Sequence, residues 1–275
     1  MIPPQNVSES VYLRESRKRM DYCIEADRGW DKAKSQKVAL VVLSCKRPKE
    51  LQRLFDSLKR FSCWRFGLTQ AWFVDNGSCS EVERMAKGSG LFTGYRLHSE
   101  NIGIGAAIND VLGQVNARYV LFVEDDLVLA EDTPFIPACE DIFDEYPQVG
   151  IIKLKHKAGW NDYPYRRIGP MQTTSMGVRF HPWLPSPRWS FRWGQRPWYP
   201  IGIHNVWSLG PVMFRWCSWA TTGPIPSGQG RGQAGAAEEW YARSFNLKWL
   251  AARPVDFAPF VQPVTPESPG FGDRV

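Results

Sequence analysis

A run of five apolar residues, Tyr119–Val123, leads directly into three adjacent carboxylates, Glu124, Asp125 and Asp126. An unbroken apolar run of this length is typical of a strand buried on both faces, which requires a sheet covered on both sides. Carboxylates crowded at the end of such a strand repel one another and are costly to desolvate unless a cation lies beside them. Hard oxygen ligands of this kind suit Mg²⁺ or Mn²⁺. The alternative is an acidic turn after a core strand.

Strand and helix patterns alternate through the first half of the chain. The predicted strands are Val38–Leu43, Ala71–Val74, Tyr95–His98, the run before Glu124 and Gly150–Leu154, and the predicted helices begin near Pro48, after Asn101 and near Thr133. Strands separated by helices indicate βαβ units and a parallel sheet. Ligands of such sheets bind beyond the carboxyl ends of the strands. Arg47, Asp75 and Asn101 all fall there, so we expect them to share one crevice with the carboxylates.

Four motifs occur in an order that resembles the GT-A glycosyltransferases, above all those of the family-2 type. They are Ser44-Cys-Lys-Arg-Pro48, Asp75-Asn-Gly-Ser78, Asn101-x-Gly-x-x-Ala-Ala-x-Asn109 and Glu124-Asp-Asp126. The last motif and the Lys-Arg-Pro loop also resemble N-acetylglucosaminyltransferase I. The likeness covers residues 37–155 well and the rest loosely. It implies an α/β fold with a single Rossmann-like GT-A domain, a mostly parallel central sheet flanked by helices, and a loop-rich C-terminal acceptor region.

The same resemblance implies a nucleotide-diphosphate-sugar donor, with uridine as its base, and a divalent metal, Mn²⁺ or Mg²⁺. Asp126 would bind the metal, with Glu124 and Asp125 in support, and Asp75 would contact the base. The remaining donor-side residues implied are Ser44, Lys46, Arg47, Asn101, Gly103, Asn109 and Gly210, the last within Ser208–Met213. Simpler interpretations stay open, because Asp75-Asn-Gly is a common turn and Asn101 can cap a helix. His204 is a possible metal ligand or a structural histidine.

The general base is expected in the C-terminal part. A glycine-rich loop, residues 228–235, precedes Glu238 and Glu239 in what reads as the first turn of a helix. The family resemblance implies that the second acid of such a pair takes the proton from the acceptor hydroxyl, which makes Glu239 the first candidate and Glu238 the second. Acids are also favoured at a helix N-terminus for electrostatic reasons alone. Direct displacement with inversion is likewise implied by the resemblance.

Charge and tryptophan are concentrated in one segment of the chain. Residues 151–220 hold ten Lys and Arg against the single acid Asp162, and eight of the thirteen tryptophans. We therefore divide the chain into an N-terminal helical arm (1–36), a nucleotide-sugar-binding half (37–155) and a Trp/Arg-rich half for acceptor binding and the base (156–275). The basic and aromatic side chains expected to meet the acceptor are Arg188, Trp189, Arg192, Trp193 and Arg196.

Three interpretations of the basic segment remain open. It can be a tryptophan core with a solvated basic rim, or a saccharide-binding groove. It can also hold nucleic acid, because basic and aromatic side chains track the phosphate backbone and stack on bases. A transferase acting on a hydroxylated base in DNA would combine these features with a flipped-out base.

Other functional classes fit less well. The Gly103-x-Gly105 pair lacks the third glycine of a dinucleotide-binding fingerprint, since position 108 is Ile. A nucleotidyltransferase, or a nucleic-acid-binding protein without turnover on a transferase fold, remains an alternative. No stretch approaches the roughly 20 apolar residues of a membrane span. The beginning lacks the pattern of a signal peptide and the six cysteines form no Cys-x-x-Cys pair, so we expect a cytoplasmic enzyme.

Overall fold

A computed structural model describes residues 5–30, 36–65, 67–77, 79–155, 167–184, 190–191, 199–200, 210–227 and 233–263. Its helices are α1 Glu9–Trp30, α2 Pro48–Arg60, α3 Ser80–Gly88, α4 Ile104–Leu112, α5 Phe135–Glu145, α6 Trp216–Thr222 and α7 Gln233–Lys248. None of the described helices is both long enough and apolar enough to cross a membrane.

The strands are β1 Gln5–Asn6, β2 Gln36–Ser44, β3 Leu68–Asn76, β4 Gly94–His98, β5 Ala117–Glu124, β6 Val128–Leu129, β7 Val149–Lys153, β8 Arg167–Ile168, β9 Gln172–Thr173, β10 Arg179–Leu184, β11 Ser190–Phe191, β12 Tyr199–Pro200, β13 Val212–Arg215, β14 Leu250–Pro254 and β15 Phe260–Val261. The main sheet has the order β1-β8-β10-β14-β7-β13-β5-β2-β3-β4, with β9 paired to β10. Strands β5, β2, β3 and β4 pair in parallel, as do β7 with β14 and β1 with β8. Most of the paired positions are thus parallel, as the alternating pattern predicts.

Both faces of the central sheet are buried, which explains the unbroken apolar runs of its strands. In β5, Tyr119, Leu121 and Val123 point into one apolar cluster, which helices α2, α3 and α5 complete. Val120 and Phe122 point into a second cluster on the opposite face, shared with α1, α4, α6 and α7. Alternate side chains of β5 are therefore buried on opposite sides, which accounts for its continuous apolar run.

Strand register brings the predicted motifs to one edge of the sheet. Leu43 of β2 is paired with Glu124 of β5, and Ser44 is paired with Asp75 of β3. The backbone N–H of Asp125 donates to the carbonyl of Leu43 at 3.0 Å. This bond extends the ladder into residues 124–126, which we call the acidic turn. The three motifs are thus neighbours because they end three adjacent parallel strands.

Strand β13 lies between β5 and β7 and runs antiparallel to both. Its first residue, Val212, is paired with Phe122 and Lys153, near the carboxyl ends of those strands. The preceding Gly210, with φ +121°, therefore lies at the same edge as the acidic turn. The alternation of strands and helices in the sequence did not predict an antiparallel strand between β5 and β7. A four-residue apolar segment such as β13 carries no signal of the direction in which it will run.

The N-terminal helix α1 packs against α6 and α7. Arg19, which is almost fully buried, donates to the carbonyl of Asn246 at 2.7 Å and pairs with Glu15 at 3.0 Å. Arg215, at the end of β13, pairs with Asp27 of α1 at 2.8 Å. Buried arginines are tolerated when partners satisfy the guanidinium, so these contacts fix where α1 lies.

A segment after α6, residues 224–227, crosses the first turns of α4, and we call it the strap. The Asn109 amide donates to the Ile225 carbonyl at 2.7 Å and accepts from the Ile225 N–H at 3.0 Å. The N–H of Gly105 donates to the Ser227 carbonyl at 2.9 Å. A Cβ atom at Gly105 would lie 1.8 Å from the Pro226 carbonyl oxygen, so only glycine permits this approach.

We expect Gly105→Ala to destabilise the protein by about 1–3 kcal/mol, because the strap must move to accommodate the methyl group. Gly113→Ala, at the C-cap position that ends the same helix, is the control. Its Cβ would meet only ordinary contacts of 3.5 Å, and its φ of −63° suits alanine. Thermal unfolding of both variants checks this expectation. Equal melting temperatures for the two variants would show that the strap does not press on Gly105 in solution.

Candidate active site

The loop between β2 and α2, residues 45–47, which we call the first loop, holds a cluster of polar groups at the edge of the sheet where the parallel strands end. Lys46 has a φ of +56° and is the one non-glycine with positive φ among the described residues. Pro48 then fixes the first turn of α2, where its missing N–H costs nothing. Backbone strain of this kind persists where surrounding contacts hold it, often at functional sites. The strained residue turns the chain so that Ser44 and Arg47, on either side of it, both reach the acidic turn.

Asp125 is fully buried and is held by this loop. Its Oδ2 accepts from the Ser44 hydroxyl at 2.8 Å and from the Cys45 N–H at 3.3 Å, and Arg47 pairs with its Oδ1 at 2.8 Å. Burial raises the pKa of Asp125 to about 6, although Arg47 and the two hydrogen bonds act in the opposite direction. This carboxylate joins the first loop to the acidic turn and is already occupied by protein donors.

Asp126 differs from its neighbour, because 27% of its side chain is exposed. Its Oδ2 accepts from Gln262 Nε2 at 3.0 Å and from Arg47 at 3.4 Å. Gln262 in turn accepts a hydrogen bond from Lys155 Nζ at 2.6 Å. Burial tends to lower the pKa of Arg47, but Asp125, then Asp126 and Glu124, raise it overall. The acidic turn thus meets two cations, one directly and one through an amide.

The arrangement fits a divalent metal bound by a single carboxylate. Among the described residues, no group of three or more His, Cys, Asp or Glu side chains could hold a metal by itself. Mg²⁺ and Mn²⁺ sites for nucleotides commonly use one or two carboxylates, with water and substrate phosphates as the other ligands. Asp126 satisfies that requirement, since both of its protein donors lie on Oδ2. Asp125 is less suited, because it is buried and already bonded.

A second cluster lies at the ends of β3 and β4. Asp75 is fully buried, and Asn76 links to Asn101, whose Oδ1 accepts from Asn76 Nδ2 at 3.1 Å and from the Gly103 N–H at 2.8 Å. Asn76 also accepts from the Ile102 N–H at 2.9 Å. The φ of Gly103 is +90°, a conformation that glycine adopts without strain, and it precedes α4. These bonds shape the loop beside Asp75.

Asn101 also connects the two clusters. Its Nδ2 lies 3.8 Å from Cys45 Sγ, in the loop that holds Asp125. Asn101 accepts from the N–H of Gly103, which is itself the N-cap of α4, so Asn101 closes a turn before the helix and does not cap it. It also lies beside the loop that holds Asp125. The residues predicted to contact the nucleotide base and those predicted to bind the metal therefore lie along one edge of the sheet.

The Asn109 side chain bonds to the strap and to α6. Its Oδ1 accepts from Trp219 Nε1 and from the Ile225 N–H, each at 3.0 Å, and its Nδ2 donates to the Ile225 carbonyl. Both polar atoms of Asn109 thus bond within the protein and hold the strap, and a contact of this residue with the donor stays a prediction.

Several predicted residues lie outside the described part of the chain. These are His204, Arg188, Trp189, Arg192, Trp193 and Arg196. The backbone of Glu238 and Glu239 lies in α7, but that helix begins at Gln233, so the prediction that the two acids occupy its first turn is wrong, and their side chains are outside the described set. The acceptor and base assignments therefore remain predictions.

The family model for glycosyl transferase family 2 matches residues 39–213. The chain belongs to glycosyl transferase family 2. The matched range includes the first loop, the Asp75 turn, the Asn101–Asn109 motif and the acidic turn. No curated protein matches the chain. The prediction of a family-2 type glycosyltransferase is thus confirmed at the level of the family.

Solved structures of glycosyltransferases share this fold. TarS of Staphylococcus aureus in complex with UDP matches 84% of this chain and 61% of its own, with 16% identity and a TM-score of 0.55. The mannosyltransferase PcManGT of Pyrobaculum calidifontis, in complex with GDP-Man and Mn²⁺, matches 94% and 68%, with 14% identity and a TM-score of 0.56. GalNAc-T7 with UDP, GalNAc and Mn²⁺ matches 82% and 44%, with 10% identity and a TM-score of 0.53.

At these identities the likeness establishes the fold alone, and it confirms the predicted GT-A architecture. The chain spans between 37% and 61% of the TarS structures that it matches. The identities of the donor, the metal and the acceptor do not follow from these likenesses.

Sequence reasoning missed two residues at the site, Lys155 and Gln262. A signal existed for Lys155, because it follows β7 and the carboxyl ends of parallel strands converge. Gln262 gave no local signal, since only the pairing of β15 with β6 brings it to Asp126.

Proposed function

We propose that this family-2 glycosyltransferase moves a sugar from a nucleotide-diphosphate donor, a UDP-sugar, to an acceptor hydroxyl with the help of Mn²⁺ or Mg²⁺ at Asp126. The observation that carries the proposal is the partly exposed Asp126 at the strand edge, with Arg47 at 3.4 Å and the buried Asp125 beside it. UDP and GDP-Man with Mn²⁺ in the similar structures named above support this kind of donor.

The edge has the charge pattern that a donor diphosphate needs. The Arg47 side chain is 43% exposed, so its guanidinium can turn from the carboxylates to a phosphate. A divalent cation bound at Asp126 would neutralise the charge that develops on the departing diphosphate. Asp75, fully buried at the end of β3, would lie on the base side with Asn101.

The reaction is proposed to be a single displacement. The acceptor oxygen forms a bond to the anomeric carbon as the bond from that carbon to the diphosphate oxygen breaks. Glu239, or Glu238 beside it, takes the hydroxyl proton, and the nucleoside diphosphate leaves. Attack from the face opposite the leaving group inverts the anomeric centre.

The acceptor is proposed to be either a glycoconjugate or a hydroxylated base in DNA. The basic, tryptophan-rich composition of residues 151–220 favours an anionic acceptor with rings to stack on. A DNA acceptor would also require the target base to leave the stack.

Two experiments test the proposal in sequence. A panel of nucleotide sugars should raise the melting temperature more with Mn²⁺ than with EDTA. A ligand at a hundredfold excess over its Kd stabilises the folded state by about 2.7 kcal/mol, which is enough to detect as a shift of the melting temperature. The stabilising labelled sugar is then offered to hydroxymethylated DNA and to a saccharide panel. A DNA acceptor predicts that log K falls with log[salt] by about 0.9 per phosphate contact. Transfer to saccharides alone, without DNA affinity at low salt, contradicts the DNA assignment.

A further inference from the structure

Three side chains from distant parts of the chain form a hydrogen-bonded line that ends on Asp126. Lys155 Nζ donates to Gln262 Oε1 at 2.6 Å, and Gln262 Nε2 donates to Asp126 Oδ2 at 3.0 Å. Lys155 follows β7, Asp126 follows β5 and Gln262 follows β15. The line therefore exists only because the fold brings three strand ends together.

The lysine determines how the amide is oriented. An ammonium group only donates hydrogen bonds, so the carbonyl oxygen of Gln262 must face Lys155. The NH₂ group of Gln262 then faces Asp126 and donates to its Oδ2. Without the lysine the amide could turn over and present its oxygen to the carboxylate, which would repel it.

The backbone around Gln262 is held on both sides. β15 pairs with β6 at Phe260 and Val261, and the Ala130 N–H donates to the Pro259 carbonyl at 2.8 Å. The Phe260 N–H donates to the Leu154 carbonyl at 3.2 Å, and the Phe260 ring is fully buried. The position of Gln262 is thus set by the core and not by the side-chain bond itself.

We propose that Lys155 and Gln262 are positioning residues that fix the Asp126 carboxylate for the metal, an inference that rests on the proposed function. With Gln262 and Arg47 both on Oδ2, the carboxylate has a defined rotation, and Oδ1 accepts from no donor among the described residues. Solvent reaches these side chains, so their bonds orient Asp126 without adding much stability. Outer partners of this kind commonly change metal affinity by 10- to 100-fold.

The test measures the affinity for UDP by calorimetry, in EDTA and in Mn²⁺, and takes the ratio as the metal-dependent gain. Gln262→Leu and Lys155→Met should each reduce that gain about tenfold and leave the affinity in EDTA unchanged. The double variant should lose no more than either single variant, because both interrupt one line. Lys155→Arg keeps a donating cation and should restore most of the gain.

Matched controls come from the exposed surface. Gln52→Leu removes an amide that donates to Asp56 at 2.7 Å, and Lys87→Met removes the partner of Glu83. Neither should change the gain.

Each other result contradicts the inference in a recognisable way. If Lys155 only repelled the metal, Lys155→Met would increase the gain. If Lys155 bound the diphosphate itself, the affinity in EDTA would fall. An unchanged gain in Gln262→Leu, together with a lost gain in Asp126→Ala, would overturn the positioning role alone. A gain that survives Asp126→Ala, or no gain in the wild type, would overturn the proposed metal site and this inference with it.

Discussion

Replacing Asp126 with alanine is expected to reduce sugar transfer by a factor of about 10³ or more. Stabilising the charge of a departing diphosphate is worth several kcal/mol, and each 1.4 kcal/mol corresponds to a tenfold change in rate. The affinity for UDP should fall to the value measured in EDTA. The fold should survive, because the side chain is partly exposed and its loss opens no cavity in the core.

Two controls separate the metal role from a general loss of charge. Asp56→Ala removes an exposed carboxylate from α2 and should leave transfer unchanged. Asp126→Ala should show the same melting temperature as the wild type in EDTA. Transfer at the wild-type rate in EDTA, or in Asp126→Ala, would contradict a metal at this position.

Glu239→Gln is expected to lower kcat by about 10²–10⁴, which is the usual contribution of a general base. The amide keeps the size and hydrogen-bonding reach of the acid but cannot accept the proton. Donor affinity should stay near the wild-type value, because the predicted role concerns the acceptor hydroxyl. Turnover and KM for the donor, measured with the acceptor that the labelled-sugar screen identifies, check this separation.

The neighbouring acid provides the comparison. Glu238→Gln should have a much smaller effect, and Glu83→Gln, in an exposed pair on α3, should have none. If Glu238→Gln is the crippling change, the order of the two acids is reversed with respect to the family. If both variants turn over normally, the base lies elsewhere in the chain.

The central sheet could be predicted from sequence because its signals are local. Strands β2, β3 and β5 each contain an unbroken apolar run, and α2 carries its buried face as Leu51, Leu54, Phe55 and Leu58. Element bounds were less accurate: β2 extends two residues before and one after the predicted Val38–Leu43, because hydrogen bonding continues past the apolar residues. Antiparallel β13 was missed, since its partners lie far away in sequence.

In the candidate site, only the residues that directly follow a predicted strand could be predicted from the sequence. Ser44, Asp75 and Asp126 follow apolar runs, and the parallel register places them together. Gln262 lies at the site because β15 pairs with β6, and no local sequence pattern predicts that pairing. Asn109 occurs in a motif suggestive of donor binding, yet its amide holds the strap, because a motif gives residue order and not the direction of a side chain.

Identification of the nucleotide product tests the central claim most directly. The enzyme is incubated with a UDP-sugar, Mn²⁺ and the acceptor panel, and the phosphorus-containing products are resolved by ³¹P NMR or ion-exchange chromatography. We expect release of UDP in step with sugar transfer, and loss of both in Asp126→Ala. Release of pyrophosphate would identify a nucleotidyltransferase, and binding of DNA with no nucleotide product would identify a protein that uses this fold without turnover.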